Sequence, residues 1–470
     1  MKDRLRFLHT ADLHLGRPLK SASQVPDYLE QVFNDAGFKA LRNIVTQVID
    51  RDLDFVVISG DLYDSEARSI KASRIFLEEC RRLAAHNKPV YIISGNHDPG
   101  GDKLEPFEYP DNVYFFDSEE VELKEYQGDA EQGDTEQGDA ELTLARILGQ
   151  SYRSNSDSRK MYTYYTVPDK NLFNLGLIHT QLNPDNRRYV PISKAELMEK
   201  DDIHYWALGH IHQPLVLNTS SPAVVYSGTP QGHNISEVGV KGCFIVEAEP
   251  GDPGENIKLE FIPTSPVIYK KIEVDISDLS RNLRRLSDLE ELLLEKAEEQ
   301  LDNNLFTEID FYGMENENVS TAGEVNYEGV IIRWLITGRS SLHERIADNL
   351  AEAETEVKAY LNKQLAAKGM EPFVWTHSVQ LRTSRELPDL EEIRENEIYQ
   401  AVARVIQDLS EDSELEAELL SEWGSIWEGS EDHENRDNDS FYPDLETKQE
   451  IIEAAQEKII AYLFAGGDGQ

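Results

Sequence analysis

The stretch Phe7-Leu8-His9-Thr10-Ala11-Asp12-Leu13-His14-Leu15-Gly16 joins a short apolar run to an Asp-x-His pair. Four more patches repeat this arrangement, in which apolar residues are followed at once by side chains that bind metals. These patches are Gly60-Asp61-Leu62-Tyr63-Asp64, Gly95-Asn96-His97-Asp98, His179 and Gly209-His210-Ile211-His212. Open α/β sheets bind ligands at the carboxyl ends of their strands, so the pattern predicts one metal site assembled from five loops.

The spacing of apolar residues predicts a strand before each patch and helices between several of them. The expected strands are 5–8, 55–58, 90–93, 175–178, 205–208, 223–227, 242–247 and 257–262. A helical face is shared by Phe38, Leu41, Ile44, Val45, Val48 and Ile49, and residues 68–87 also have a helical pattern. We therefore expect an α/β fold in which two packed sheets, a β-sandwich, are flanked by helices.

A chain of 470 residues is expected to form two or three domains. We assign residues 1–265 to the domain with the metal site, 266–388 to a smaller α+β domain and 389–470 to an acidic helical C-terminal region. The five-residue repeat at 128–141, rich in Gly, Asp, Glu and Gln, predicts an exposed, disordered insertion loop. Calcium binding by this repeat is the weaker alternative, because its carboxylates lack a recognised loop spacing.

Other features of the sequence indicate where the protein is found. It has no run of about 18 apolar residues, so no membrane span is expected. Its charged first residues do not resemble a signal peptide. Its two cysteines, Cys80 and Cys243, do not suggest a disulfide framework. Together these features predict a cytoplasmic protein.

The chain carries 89 acidic and 46 basic residues, for a formal net charge of −43. A nucleic-acid-binding protein usually has a basic surface, so composition alone argues against that function. One interpretation is a halophilic adaptation, in which high salt screens the repulsion between like charges. The alternative is an acidic surface for a basic partner. We favour the first because the acidic excess is spread along the whole chain.

The order of the five patches, over roughly residues 5–250, resembles that of the calcineurin-like metallophosphoesterases. The resemblance implies two divalent ions, which at a separation of about 3.5–4 Å can clamp a phosphoryl group and activate water. Asp61 is the candidate carboxylate that bridges the two ions. The other candidate ligands form two sets: Asp12, His14 and His212 for one ion, and Asn96, His179 and His210 for the other.

Mixed carboxylate, amide and imidazole ligands favour manganese, with iron or magnesium as alternatives, over an ion that prefers thiolates. His97 is the candidate catalytic residue, because imidazole titrates near neutral pH and can protonate a leaving oxygen. A supporting role behind the ligands is the alternative for His97. Asp64 and Asp98 are expected to orient the histidines. A structural or surface role is expected for the remaining histidines: His9, His86, His204, His233, His343, His377 and His433.

Four stretches resemble a narrower family, the SbcD-type nucleases, which are the prokaryotic counterparts of the meiotic recombination eleven nuclease. They are residues 7–16, 57–64, 92–98 and 205–212. Residues 226–233, Tyr-Ser-Gly-Thr-Pro-Gln-Gly-His, resemble the YhaO branch of that family, whose members are DNA repair exonucleases.

This narrower resemblance implies a two-metal, manganese-dependent DNA nuclease in double-strand-break repair. It would be an exonuclease, with endonuclease activity as a further expectation, and would work with an SbcC-like coiled-coil ATPase. The family also implies a homodimer, a capping and DNA-binding role for residues 266–388, and a partner-binding role for 389–470.

Four basic residues beside the patches, Arg17, Lys20, Arg187 and Arg188, are candidates for contacts with DNA phosphates. An ordinary surface role is the alternative for each. Two other functions remain open at this point. One is a metallophosphatase or phosphodiesterase for a substrate other than DNA, and the other is a non-hydrolytic regulator of an ATPase.

Overall fold

The computed structural model describes most of the chain, with gaps. The described residues are 4–20, 25–64, 69–100, 107–128, 142–185, 187–249, 256–277, 283–302, 307–322, 325–386, 395–411, 455, 459, 460 and 463.

The first sheet has seven strands in the order β14-β12-β11-β1-β2-β3-β4. Strands β1 to β4 run parallel, β11 is antiparallel to β1 and β12, and β14 runs parallel to β12. The strands are β1 (Leu5–Thr10), β2 (Phe55–Ser59), β3 (Val90–Ile93), β4 (Val113–Phe115), β11 (Gly242–Ala248), β12 (Lys258–Pro263) and β14 (Val319–Thr321). Every residue of β2 and β3 is buried, as expected for strands covered on both faces.

The second sheet has six strands in the order β5-β6-β7-β8-β10-β9. Its central strands β6, β7, β8 and β10 are parallel, and the edge strands β5 and β9 are antiparallel to their neighbours. The strands are β5 (Glu122–Gly128), β6 (Leu142–Gly149), β7 (Phe173–His179), β8 (Tyr205–Gly209), β9 (Leu215–Asn218) and β10 (Ala223–Tyr226).

The two sheets face each other across an aromatic core. Phe7 stacks on Phe55 within the first sheet, with ring centroids 5.0 Å apart, and meets Tyr205 of the second sheet edge to face at 5.5 Å. His9 lies in the same layer, where Nδ1 is 3.0 Å from the Tyr205 hydroxyl. Rings of this size exclude water from between the sheets and hold their strands in register.

Helices cover the outer faces of both sheets. Helix α1 (Asp27–Asp50) and helix α2 (Ile70–Ala84) pack buried apolar side chains on the first sheet. The short helix α3 (Lys194–Met198) and the 3₁₀ turn Met161–Tyr164 cover the second sheet around Trp206. Parallel strands in both sheets end at one edge of the sandwich, which brings the loops after β1, β2, β3, β7 and β8 together.

A third sheet has the strand order β13-β15-β16. Its strands are β13 (Val267–Asp275), β15 (Gly329–Arg339) and β16 (Phe373–Ser384). The remaining helical elements are α4 (Leu286–Asp302), α5 (Leu342–Ile346), the 3₁₀ turn Ala347–Asn349, α6 (Leu350–Lys368) and α7 (Glu397–Glu411). The chain forms two compact units, of which the first comprises residues 1–272, 292–334 and 358–379, and the second comprises 273–291, 335–357 and 380–470.

The predicted fold class, two sheets flanked by helices with a smaller α+β part and a helical C-terminal region, is confirmed. The predicted strands at 5–8, 55–58, 90–93, 175–178 and 205–208 correspond to β1, β2, β3, β7 and β8. Strands β4, β5 and β9 were not predicted, because short or partly exposed strands leave weak apolar patterns. Strand β6 was also not predicted, although most of its residues are buried. Most of the acidic repeat, 129–141, and much of the predicted C-terminal helices lie outside the described residues.

Two further findings concern the described helices and the two cysteines. Among the described helices, none has a long enough apolar stretch to cross a bilayer. Cys80 and Cys243 are both buried and carry free thiols.

The connection between β6 and β7 is held by a mostly buried ion pair. Arg159 Nε donates to both carboxylate oxygens of Asp157, at 2.8 and 3.1 Å, and Arg159 Nη1 donates to the Ser118 carbonyl at 2.6 Å. Asp157 also exchanges backbone hydrogen bonds with Arg188 and Val190. Burial alone would raise the pKa of Asp157, but hydrogen bonds from Arg159 outweigh it and lower the pKa. This pair therefore fixes the loop that carries Arg188.

We predict that Asp157→Asn lowers the free energy of unfolding by about 3 kcal/mol, because it leaves the guanidinium without its counter-charge. The folded-state pKa of Asp157 lies below the unfolded-state value of about 4. Asp157→Asn should therefore lose the full stability of the ion pair above about pH 4, and lose less as the pH falls through the folded-state pKa. Urea denaturation at several pH values measures the difference in unfolding free energy between the variant and the wild type.

The matched control is Asp201→Asn, which removes a carboxylate that is 79% exposed and paired with Lys170. Water screens a pair this exposed, so the pair adds little to stability and this variant should unfold like the wild type. Equal effects of the two substitutions would contradict a special role for the Asp157 pair.

Candidate metal centre

The loops that carry the candidate ligands leave their strands in conformations that few residues tolerate. The φ angles of Asp12, His14, Asp61 and His210 are 53°, 43°, 51° and 99°. Asp and His adopt this left-handed region more readily than most other non-glycine residues. Backbone hydrogen bonds stabilise it: Asp12 N donates to the Gly60 carbonyl at 3.0 Å and His14 N to the Asp61 carbonyl at 3.1 Å. The first two loops are therefore fixed against each other.

Two glycines allow the loops to approach one another closely. A Cβ atom at Gly95 would lie 2.2 Å from Oδ1 of Asp61, and one at Gly209 would lie 1.9 Å from the Ser59 carbonyl oxygen. Neither contact leaves room for a side chain. The glycines that precede Asn96 and His210 are thus required by packing between loops.

Asp12, His14 and His212 form one group of candidate ligands. The Nε2 atoms of His14 and His212 are 3.1 Å apart, and Asp12 offers a carboxylate oxygen to the same space. Asp12 also accepts from the backbone N–H of His210, at 3.0 and 3.1 Å from its two oxygens. The residues placed in one ion's shell by the sequence analysis thus lie together.

Asn96, His179 and His210 form the second group. Oδ1 of Asn96 is 3.1 Å from Nε2 of His179 and 3.0 Å from Nδ1 of His210. The other ring nitrogen of His179, Nδ1, is 2.9 Å from the Ser59 carbonyl oxygen, which therefore accepts its proton. His179 and His210 consequently present different nitrogens to the same space.

Asp61 lies between the two groups. Its Oδ2 atom is 3.4 Å from Nε2 of His179 and 3.9 Å from Nε2 of His14. Its Oδ1 atom accepts a 2.8 Å hydrogen bond from the backbone N–H of His97. One oxygen of Asp61 thus faces both groups, as a bridging carboxylate requires.

The donor set fits divalent cations on its chemistry. Oxygen and imidazole nitrogen donors suit ions such as manganese, iron and magnesium. Two neutral imidazoles whose Nε2 atoms are 3.1 Å apart repel unless a proton or a cation lies between their lone pairs. Nδ1 of His14 is buried and lacks a hydrogen-bond partner among the described residues. A cation between the two Nε2 atoms would satisfy both of their lone pairs.

Burial and neighbouring charges shift the pKa values of these groups. Burial raises the pKa of Asp12 to about 6 and lowers the pKa of His210 to about 3. Burial alone would lower the pKa of His179, but the Asp61 charge outweighs it and raises the pKa to about 9. At Asp61, burial acts to raise the pKa, and the His179 charge overcomes it and lowers the pKa. Asp61 therefore stays ionised although it is buried.

His97 lies at the open side of this site. Its side chain is 39% exposed, its ring centroid is 4.9 Å from that of His14, and its Nδ1 is 3.9 Å from Oδ1 of Asp64. Asp64 is also 4.0 Å from Nδ1 of His14 and 3.5 Å from Arg17 Nη1. Asp64 thus faces two of the site histidines at ion-pair distance.

Asp98 contacts the backbone of two ligand loops. It accepts hydrogen bonds from the backbone N–H groups of Gly95, at 2.8 Å, and Tyr63, at 3.1 Å. Burial raises the pKa of Asp98 to about 7, and the Asp61 charge adds to this effect. These bonds join the loop that follows β2 to the loop that follows β3.

The four basic candidates differ in their surroundings. Arg17 is partly buried beside Asp64, whereas Lys20, Arg187 and Arg188 are exposed. The Arg188 guanidinium lies 5.7 Å from the centre of the Tyr189 ring, and that ring lies 4.5 Å from the ring of His210. The Tyr189 ring therefore contacts both Arg188 and His210, a candidate ligand of the second group.

Sequence reasoning missed two residues near the ligands. Glu237, which no motif singled out, lies 3.1 Å from Nδ1 of His212, and its pKa falls to about 2 because the His212 hydrogen bond and charge outweigh burial. His233, for which a structural or surface role is expected, is fully buried with its ring 6.1 Å from that of His14. Neither ring nitrogen of His233 has a hydrogen-bond partner among the described residues. The distance of both residues in sequence from the ligand motifs hid this proximity.

Comparison with known proteins supports the same part of the chain. A family model described as calcineurin-like phosphoesterase matches residues 5–214. Over these residues the chain is similar to the calcineurin-like phosphoesterases. The matched residues span all five loops that carry the candidate ligands.

Three relatives illustrate the range of similarity. The "uncharacterized metallophosphoesterase YhaO" of Bacillus subtilis is 31% identical over 284 residues, which are 60% of this chain and 65% of that protein. A component of the nuclease SbcCD of Bacillus subtilis is 24% identical over 53% of this chain and 67% of its own length. "DNA double-strand break repair protein Mre11" of Methanococcus maripaludis is 26% identical over 50% of this chain and 59% of its own length. The chain thus spans about two thirds or less of each relative.

We predict that purified protein binds two Mn²⁺ ions per chain and that Asp61→Asn binds at most one. The substitution removes the charge of the carboxylate that faces both groups of candidate ligands. Isothermal titration with Mn²⁺ measures the stoichiometry. The control is His86→Ala, which alters an exposed histidine outside the two groups and should still bind two ions. Two tightly bound ions in Asp61→Asn would rule out a bridging role.

Proposed function

We propose that this protein is a two-metal nuclease that hydrolyses DNA phosphodiester bonds. Its proposed cofactors are two divalent ions, with Mn²⁺ favoured and Fe²⁺ or Mg²⁺ as alternatives. The main support is the position of Asp61, whose Oδ2 faces two groups of nitrogen and oxygen ligands beside the exposed ring of His97. A bound pair of ions would polarise the scissile phosphate and activate the attacking water.

His97 would then act as the proton donor, and Asp64 would orient its ring. His97 would donate a proton to the leaving 3′ oxygen as the bond between phosphorus and that oxygen breaks. Asp64 lies on the Nδ1 side of the His97 ring, so Nε2 is the nitrogen that would reach the substrate.

DNA is proposed as the substrate because two of the relatives carry nuclease or DNA repair names. We further propose that the protein acts in double-strand-break repair with an SbcC-like coiled-coil ATPase, as a homodimer and in the cytoplasm. In this proposal, residues 266–388 cap the site and contact DNA, and residues 389–470 contact the partner. High salt would be the working condition of so acidic a chain, with 89 acidic and 46 basic residues.

We predict that His97→Ala lowers the rate of DNA cleavage by about 10²–10⁴-fold while binding of two Mn²⁺ ions is retained. In this proposal His97 donates a proton and does not bind metal, so the substitution should lower the cleavage rate without changing Mn²⁺ binding. The assay compares linear and circular DNA with Mn²⁺ across a salt series, with His86→Ala as the control.

Three outcomes would distinguish the candidate functions. DNA cleavage by the wild type and by His86→Ala, with loss of cleavage in His97→Ala, would support the proposed nuclease activity. Hydrolysis of a generic aryl phosphodiester, with DNA left intact at every salt concentration, would indicate a phosphodiesterase for another substrate. Metal binding without hydrolysis of either substrate, with or without a coiled-coil ATPase, would indicate a regulator.

We also predict that Arg187→Ala/Arg188→Ala weakens binding of double-stranded DNA of any sequence. Each lost phosphate contact should reduce the slope of log affinity against log salt by about 0.9. Fluorescence anisotropy with labelled DNA in Ca²⁺, at several salt concentrations, measures the slope. The control is Lys124→Ala, which alters a lysine on the edge strand β5. An unchanged slope in the double variant would assign both arginines an ordinary surface role.

A further inference from the structure

The segment of residues 228–241, which we call the support segment, follows β10 and contacts two of the ligand loops. The hydroxyl of Thr229 donates to the carbonyl of Asp12 at 2.8 Å. The backbone N–H of Thr229 donates to the carbonyl of His212 at 3.1 Å. The support segment is therefore fixed to the backbone on both sides of the first ligand group.

Glu237 places a carboxylate from this segment behind one ligand. Its Oε1 atom is 3.1 Å from Nδ1 of His212 and accepts from Nδ2 of Asn234 at 2.8 Å. Its Oε2 atom accepts from the backbone N–H of His233 at 2.6 Å. The Glu237 side chain is only 13% exposed. Three donors converge on this carboxylate, which holds it in one position.

These contacts determine how His212 can act. Glu237 has no proton to give, so Nδ1 of His212 carries the hydrogen in this bond. The lone pair of the neutral ring then lies on Nε2, which is the atom 3.1 Å from Nε2 of His14. A carboxylate that accepts from a ligand histidine also makes the histidine a stronger base toward the metal.

The other ligand histidines have different supports. Nδ1 of His179 contacts the neutral carbonyl of Ser59 at 2.9 Å. Nδ1 of His14 is 4.0 Å from Asp64, beyond hydrogen-bond distance. The Glu237 carboxylate would therefore affect the ion held by Asp12, His14 and His212. In the second group, His179 contacts a neutral carbonyl and not a carboxylate.

We propose that Glu237 is a positioning residue of the metal centre, which holds His212 as an Nε2 ligand and strengthens its binding to one of the two ions. Glu237 contacts neither the ions nor the substrate. This proposal rests on metal binding by the proposed nuclease but is independent of whether DNA is the substrate.

The test is Mn²⁺ titration of full-length Glu237→Gln by calorimetry, beside the wild type. The amide has the size of the carboxylate and no charge, so the affinity for one ion should fall about 10–100-fold. The affinity for the second ion should change less than threefold. The melting temperature without metal should stay near that of the wild type, and the rise in melting temperature on adding Mn²⁺ should be smaller.

Three further variants separate positioning from structural support. Asn234→Ala removes one of the three donors that hold the carboxylate but leaves its charge beside His212, so the affinity for this ion should fall less than in Glu237→Gln. His212→Ala removes the ligand itself and should lose the weakened ion. Glu237→Asp keeps the charge on a shorter side chain and should restore part of the lost affinity.

Each other outcome overturns the proposal in a recognisable way. Wild-type affinities for both ions in Glu237→Gln would show that the contact with His212 does not affect metal binding. Equal weakening of both ions, with a lower melting temperature in the absence of metal, would make Glu237 a purely structural residue. Failure of the wild type to bind Mn²⁺ would refute the metal centre in the proposed function, whatever the variants do.

Discussion

Asp61 holds an ionised carboxylate in a fully buried position, 3.4 Å from Nε2 of His179 and 3.9 Å from Nε2 of His14. Removing such a charge from water costs several kcal/mol even after the protein relaxes, unless positive charge and hydrogen-bond donors surround it. Two donors are supplied by different sheets: the backbone N–H of His97 follows β3, and His179 ends β7. The sandwich must therefore close before Asp61 is stabilised, which couples the site to the packing of the two sheets.

This coupling explains why so much of the chain acts on the backbone of the ligand loops. Asp98 joins the loops after β2 and β3, and Thr229 ties the Asp12 and His212 loops to the support segment. Gly95 and Gly209 let these loops approach within van der Waals contact. The ligands thus sit on rigid connections, a condition for holding two cations at a fixed separation.

Negative charge is unequally divided between the two ligand groups. The first group of candidate ligands includes the carboxylate of Asp12 and has the charge of Glu237 behind His212. The second includes the neutral amide of Asn96 and has the neutral Ser59 carbonyl behind His179. Two sites that share Asp61 but differ in this way should hold their ions with different strengths. The formal net charge of −43 would oppose the proposed DNA substrate, so under that proposal DNA binding would depend on the two cations and on nearby arginines.

The amino-acid pattern alone was enough to predict the fold class, the strands that lead into the site, and the five loops that approach one another. These features are local: a buried parallel strand is a run of apolar residues, and a ligand loop follows its carboxyl end. Residues such as Asp12, Asp61 and His210 could be singled out because they belong to these short patterns. Their roles as ligands remain predictions, although the folded chain brings them together in two groups.

The folded chain was needed to show which ring nitrogen of each histidine faces the site and which residues support these rings. His210 presents Nδ1 and His179 presents Nε2, a choice made by the direction in which each loop turns. Glu237 and His233 lie far along the chain from His14 and belong to no ligand pattern, so only the folding of the support segment brings them near. Hydrogen bonds of this kind depend on positions in space to within an ångström, and spacing along a sequence does not carry that information.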